Sequence, residues 1–161
     1  MNYRITGTGS CIPDITKKNS DFLQNKFLDR DGSDIQSSNS EIIEKFKSIT
    51  GIYQRRYASD EINSSDLATV AARSAIVNSK IDQETLDYII VAHNAGDISC
   101  NSGQVDTLPS IASKVKAKLK IKNPNCVAYD IICGCPGWLE GMIQAKSCLL
   151  YTSDAADDRL S

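Results

Sequence analysis

An α/β layered domain with a largely parallel sheet is the fold class this sequence predicts, on three observations. Two short segments, "YIIVAHNAG" from Tyr88 and "CVAYDII" from Cys126, are apolar along most of their length, as strands buried on both faces are. Segments with helical spacing precede, separate and follow them. Strand and helix thus alternate, which builds layered α/β structure rather than segregated domains.

The elements follow in order. "YRITGTGSCIP" alternates and then breaks at Gly7-Thr8-Gly9 and Pro13, as a strand feeding a loop does. Residues 14–40 are polar and read as surface loop around a short helix near Asp21 to Phe27. In "SEIIEKFKSITGI", Ile42, Ile43, Phe46 and Ile49 have helical spacing, with Ser40 as N-cap and Gly51 just past the end. "SSDLATVAARSAIVNS" predicts a second helix, capped by Ser64 or Ser65, with Leu67, Val70, Ala71, Ser74 and Val77 on its buried face. "DISCNSGQVDT" reads as irregular loop. In "LPSIASKVKAKLKIKNPN", Val115, Ala117, Leu119 and Ile121 alternate with lysines as a strand would. Leu108, Ile111, Ala112, Val115 and Leu119 fit a helix over a longer window, and Pro109 suits a first helical position, so a helix is expected. "PGWLEGMIQAK" predicts the last helix.

Composition narrows the function classes. The 161 residues are 41% hydrophobic and 24% charged, ordinary for one globular domain. A net charge of -2 gives no reason to expect nucleic-acid binding. No apolar run reaches membrane-spanning length and the polar start carries no signal-peptide pattern, so a cytoplasmic protein with no membrane partner is expected. The six cysteines then read as reduced thiols, and their spacing lacks the second pair or the histidines of a zinc site, so no metal is expected.

The chemistry is concentrated in "IICGCPGW", where Cys133 and Cys135 flank Gly134 at a strand-to-helix corner. Pro136 lacks an N–H and fits the first turn of a helix, which puts Cys135 at the N-cap and Cys133 at the strand's end. A helix N-terminus favours an anion, as a thiolate nucleophile requires, and Gly134 and Gly137 leave the sulfur accessible. The plain alternative is that both cysteines are small apolar fillers of a tight corner. Cys133, closing an apolar run, suits that role better than Cys135.

"GTGSCIP", "TGIYQRRYA", "DLATVAARSAI", "DYIIVA", "LPSIASKV" and "AYDIICGCPGWLEG" together resemble, in order and spacing, the N-terminal half of the beta-ketoacyl-ACP synthase III family. The resemblance implies part of a thiolase-like layered α-β-α fold with a largely parallel mixed sheet, incomplete at its C-terminal end. It implies that Cys135 is the catalytic nucleophile and that its backbone N–H serves in the oxyanion hole. The implied reaction is acyl transfer to that cysteine, followed by decarboxylative Claisen condensation with malonyl-ACP in fatty-acid-like biosynthesis. Acyl-CoA or acyl-ACP and malonyl-ACP are substrates, no cofactor is needed, and an acyl carrier protein and a second copy are the implied partners. Leu108, Trp138 and His93 fall near the implied substrate pocket, His93 being read as structural or pocket-lining. Arg55 and Arg56, with Lys114 and Lys118 of the lysine run, are candidates for carrier-protein or CoA contacts.

Three features depart from the family. Its catalytic histidine and asparagine come from a C-terminal half, whereas this chain has one histidine, His93, so this fragment is expected to be inactive in condensation. Lys45 and Ile49 stand where bacterial housekeeping members carry a CoA-stacking tryptophan and arginine, which favours a carrier-protein-fed branch. Finally, "CLLYTSDAADDRLS" resembles the translation of a transposon-end sequencing adapter. Residues 1–147 are therefore expected to form a truncated half-domain and 148–161 a non-native tail. A thiolase-like synthase of polyketide or resorcinol products remains an alternative, as does a thiol-redox or metal-binding domain using Cys133 and Cys135.

Overall fold

The computed structural model describes residues 4–100 and 102–157, with side chains through residue 148. Two compact units form, Ile12–Ser59 and Met1–Cys11 together with Asp60–Ser161.

In the first unit, β1 (Ile15–Lys18) pairs antiparallel with β2 (Gln54–Tyr57). A 3-10 turn, Asn19–Phe22, replaces most of the helix expected near Asp21, and β1 lies where only loop was expected. Helix α1 (Asn39–Thr50) starts two residues earlier than Ser40 suggested: Ser38 is its N-cap. Glu41 sits three residues beyond Ser38, so the two close a reciprocal box, with Glu41 N–H donating to Ser38 Oγ and Ser38 N–H to Glu41 Oε2 at 2.9 Å. Gly51 ends the helix as expected, in the left-handed region at φ 68°. Phe22, Phe27, Phe46 and Tyr57 surround a cavity of about 200 Å³ in this unit.

The second unit holds the layered core. Helix α2 (Ser64–Ser79) is capped at Asn63, and strand β3 (Tyr88–His93) follows it. The predicted loop folds into a minimal antiparallel hairpin, β4 (Asp97–Ile98) and β5 (Val105–Asp106). Helix α3 (Ile111–Leu119), strand β6 (Val127–Ile132) and helix α4 (Gly137–Asp157) complete the chain. Strands β3 and β6 pair in parallel, Tyr88 opposite Val127 through His93 opposite Ile132, as the two apolar runs predicted.

Ile111, Val115 and Leu119 on α3 are buried with Ile121 and Cys126, against Ala68, Ala72 and Ile76 of α2 and Ile89 and Val91 of β3. Each fully buried aliphatic side chain contributes about 2 kcal/mol. The helical reading of this segment holds because the long-window spacing, not the lysine alternation, matches what is buried. The N-cap is Ser110, however, and Pro109 precedes it.

The inner face of α2 differs from the one predicted. Val70 and Val77 are 52% and 72% exposed, whereas Ser65 and Thr69 are buried. Along Ala71, Ser74, Ala75 and Ser79 the residues are small where another backbone comes very close. A methyl group on Gly7 would meet the Ala75 carbonyl oxygen and Ser79, and one on Gly9 would meet the Ala71 carbonyl oxygen. Residues 4–13, expected to contain a strand, form no regular element. No helix among the described residues is long and apolar enough to cross a membrane.

Candidate active site

Strand β6 delivers the two cysteines. Its ladder continues one bond past Ile132, where Cys133 N–H donates to the His93 carbonyl at 3.1 Å. The chain then turns: Gly137 N–H donates to the Gly134 carbonyl at 2.9 Å, and helical bonding begins with Glu140 N–H to the Pro136 carbonyl at 3.1 Å. Because Gly134 and Gly137 close this turn, α4 starts at Gly137, and Cys135 lies in the turn before it rather than at the N-cap. Cys135 is exposed and Cys133 half-buried. Among the described residues, no acceptor takes the N–H of Cys135, Trp138 or Leu139. A methyl group on Gly134 would meet nothing within 4 Å, and one on Gly137 would just touch Ala92 and Cys133 at 3.4 Å.

His93 has a different environment from the one a thiol partner needs. Gly96 N–H donates to its Nδ1 at 2.8 Å, which fixes the proton on Nε2, and Nε2 faces Asp130 Oδ2 at 2.9 Å. Asp130 in turn accepts from Ile111 N–H at 2.7 Å and Ala112 N–H at 2.8 Å, the open end of α3. Both side chains are nearly buried, at 10% and 11% exposure. Both ring nitrogens of His93 are therefore engaged within the fold. Sequence reasoning missed Asp130; its signal was a lone carboxylate inside an apolar strand.

The lysine row also turns inward. Lys114 Nζ bonds Asp97 at 3.1 Å and Asp106 at 2.6 Å, lying between two carboxylates that the β4–β5 register sets opposite each other. Lys118 Nζ bonds Ser65 Oγ at 2.7 Å and Asp66 at 2.6 Å, and Lys116 Nζ bonds the Cys126 carbonyl at 2.6 Å. Lys114 and Lys118, expected to face a carrier protein, are instead committed within the fold, because helical spacing aims i and i+4 at the same acidic wall. Burial pushes the Asp97 carboxyl up, but bonds from Ser65 and Lys114 outweigh it and hold its pKa below the ordinary value. The Asp106 bond raises the Lys114 ammonium, with Asp97 adding to it against burial.

Leu108 is 82% exposed and Trp138 71% exposed, so neither closes a pocket within this chain. In the other unit, Arg55 donates to Asn19 Oδ1 at 3.1 Å and lies over the Phe22 ring. Arg56 is exposed and donates to the Asp14 carbonyl at 3.3 Å.

A parallel strand pair packed against helices, with an exposed cysteine at the strand-to-helix turn, makes an α/β structure of the thiolase-like class. Solved structures agree: 3-oxoacyl-[acyl-carrier-protein] synthase III from Aquifex aeolicus matches with TM-score 0.71 and 27% identity, over 94% of this chain and 41% of its own. A variant of OleA from Xanthomonas campestris matches with TM-score 0.67 and 25% identity, over 88% and 36%. Among curated proteins, the beta-ketoacyl-[acyl-carrier-protein] synthase III 2 of Vibrio cholerae is 38% identical over 138 residues, 86% of this chain and 31% of its own length. Synthase III 1 of Vibrio vulnificus is 32% identical over 139 residues, 86% and 37%. The chain is thus a homologue of the beta-ketoacyl-ACP synthases III and spans about a third of the length of the curated relatives it matches. No family model matches it.

Proposed function

We propose that Cys135 is the acyl-accepting nucleophile of a condensing enzyme. Its Sγ attacks the carbonyl of an acyl-CoA or acyl-carrier-protein thioester, a new thioester forms, and the donor thiol leaves. The tetrahedral oxyanion of that step needs a preorganised donor, and the Cys135 N–H serves. The observation that carries this reading is the state of the turn: an exposed thiol beside a backbone N–H that no described residue accepts. The relatives' names supply an acyl carrier protein and a beta-ketoacyl product; malonyl-ACP as the second substrate follows in this reading from the family resemblance. A cytoplasmic homodimer is the expected setting.

Taken alone, the 161-residue chain loads acyl groups without condensing them, since its single histidine is held by Asp130 and Gly96. Residues 148–161 are a non-native tail in this reading, and the source DNA should show adapter sequence from codon 148; a continuous natural reading frame there would remove that part of the proposal. Mixing the chain with acyl-ACP and then malonyl-ACP tests the division. Acyl-chain adduct without beta-ketoacyl product is expected, and product release by the purified chain would refute it.

A further inference from the structure

We propose that His93 is a positioning residue that sets the geometry of the Cys135 turn through its bond to Asp130. The inference rests on the reading of Cys135 as the nucleophile and adds a residue to its machinery.

Both feet of that turn stand on the end of β3. The foot before Cys135 is Cys133, whose N–H donates to the His93 carbonyl. The foot after it is Gly137, where an added methyl group would lie 3.4 Å from Ala92 Cβ. Residues 92 and 93 therefore flank the two feet of the turn, and whatever fixes their backbone bears on Cys135. The β3–β6 register puts Val91 opposite Asp130 and His93 opposite Ile132, so His93 and Asp130 are diagonal neighbours on one face. On that face the Nε2–H bond to Asp130 ties the last residue of β3 to the strand that runs into the cysteines. Asp130 cannot swing away, because the Ile111 and Ala112 N–H groups hold its two oxygens. Gly96 N–H on Nδ1 fixes the tautomer that donates to it. A reacting atom displaced by a fraction of an ångström loses rate steeply, so a rigid strand end is what the nucleophile requires.

Site-resolved alkylation of the full chain by iodoacetamide tests this, with buried Cys126 reporting whether the core stays closed. In His93→Gln the amide nitrogen can take the place of Nε2 and keep the Asp130 bond; in His93→Asn only the Gly96 acceptor is kept, and in His93→Leu neither. With Cys126 protected, the Leu and Asn variants should alkylate at Cys135 about fivefold more slowly than the parent, and Gln should restore the rate to within about twofold. A Leu variant that alkylates at the parental rate overturns the proposal. If Leu opens the core, the Gln and Asn pair decides: equal rates, or an unprotected Cys126 in the Gln variant, overturn it. Acyl transfer is measured separately on the parent. Failure to acylate sinks the nucleophile reading while leaving the alkylation order intact, and loss of that order sinks the inference alone.

Discussion

Helix α3 leads into strand β6 and helix α4 follows it, yet their N-termini are treated in opposite ways. At α3 the chain fills the site itself: Ser110 caps Ser113 N–H, and Asp130 takes the N–H groups of Ile111 and Ala112. At α4 the first turn follows a Gly-Cys-Pro-Gly bend, and the N–H groups of Cys135, Trp138 and Leu139 have no acceptor among the described residues. Each unfilled helix terminus retains a local positive potential. A terminus closed from within contributes stability, whereas one left open beside a thiol is available to a substrate oxygen.

That contrast predicts that the two ends fail differently. Cys135→Ala should lower acyl uptake from a thioester by at least about a thousandfold, read by intact-mass spectrometry, while the denaturation midpoint stays put. Asp130→Ala should act mainly on stability, beside the roughly fivefold slowing of Cys135 alkylation expected from loss of the His93 bond. It strands three donors in a nearly buried site and should cost about 3–5 kcal/mol in chemical denaturation. A parental midpoint in that variant would break the contrast.

Lys114→Met sharpens the closed side by leaving Asp97 and Asp106 opposed without their cation. A loss of about 3 kcal/mol is expected at pH 7. The lowered carboxyl of Asp97 contributes stability that is present above the ordinary aspartate value and disappears as pH falls through the folded one. The difference between parent and variant should therefore shrink below about pH 4, which paired denaturation curves at two pH values would reveal. The smallest effect belongs to the open side. Gly134→Ala adds a methyl group to empty space and should change stability by less than about 0.5 kcal/mol.

Much of the closed architecture could be read from residue patterns, and the failures share a cause. Continuous apolar runs located β3 and β6, although neither strand is covered on both faces: Val127 and Ile132 are exposed and the other residues only half-buried. Gly51 marked the end of α1 because only a residue at ease with positive φ continues there. Bulk misled at α2: Val70 and Val77 suggested the inner face, but they are exposed, Ser65 and Thr69 are buried, and Gly7 and Gly9 come so close to Ala71, Ser74, Ala75 and Ser79 that only small residues fit there. The alternating lysines suggested an outward row, whereas their partners, Asp97, Asp106, Asp66 and Ser65, come from segments distant in sequence. Pairings of that kind depend on tertiary structure and leave no local period. At the site, Pro136 and the glycines identified the turn and favoured Cys135, but the shift of the helix start to Gly137 and the service of His93 to Asp130 required coordinates.

The most direct measurement is peptide mapping of the chain after exposure to an acyl thioester. A single acyl group on Cys135, absent from Cys133, is the predicted result. An unmodified Cys135, an acyl group on another cysteine, or joint loss of the Cys133 and Cys135 thiols as a disulfide would contradict it.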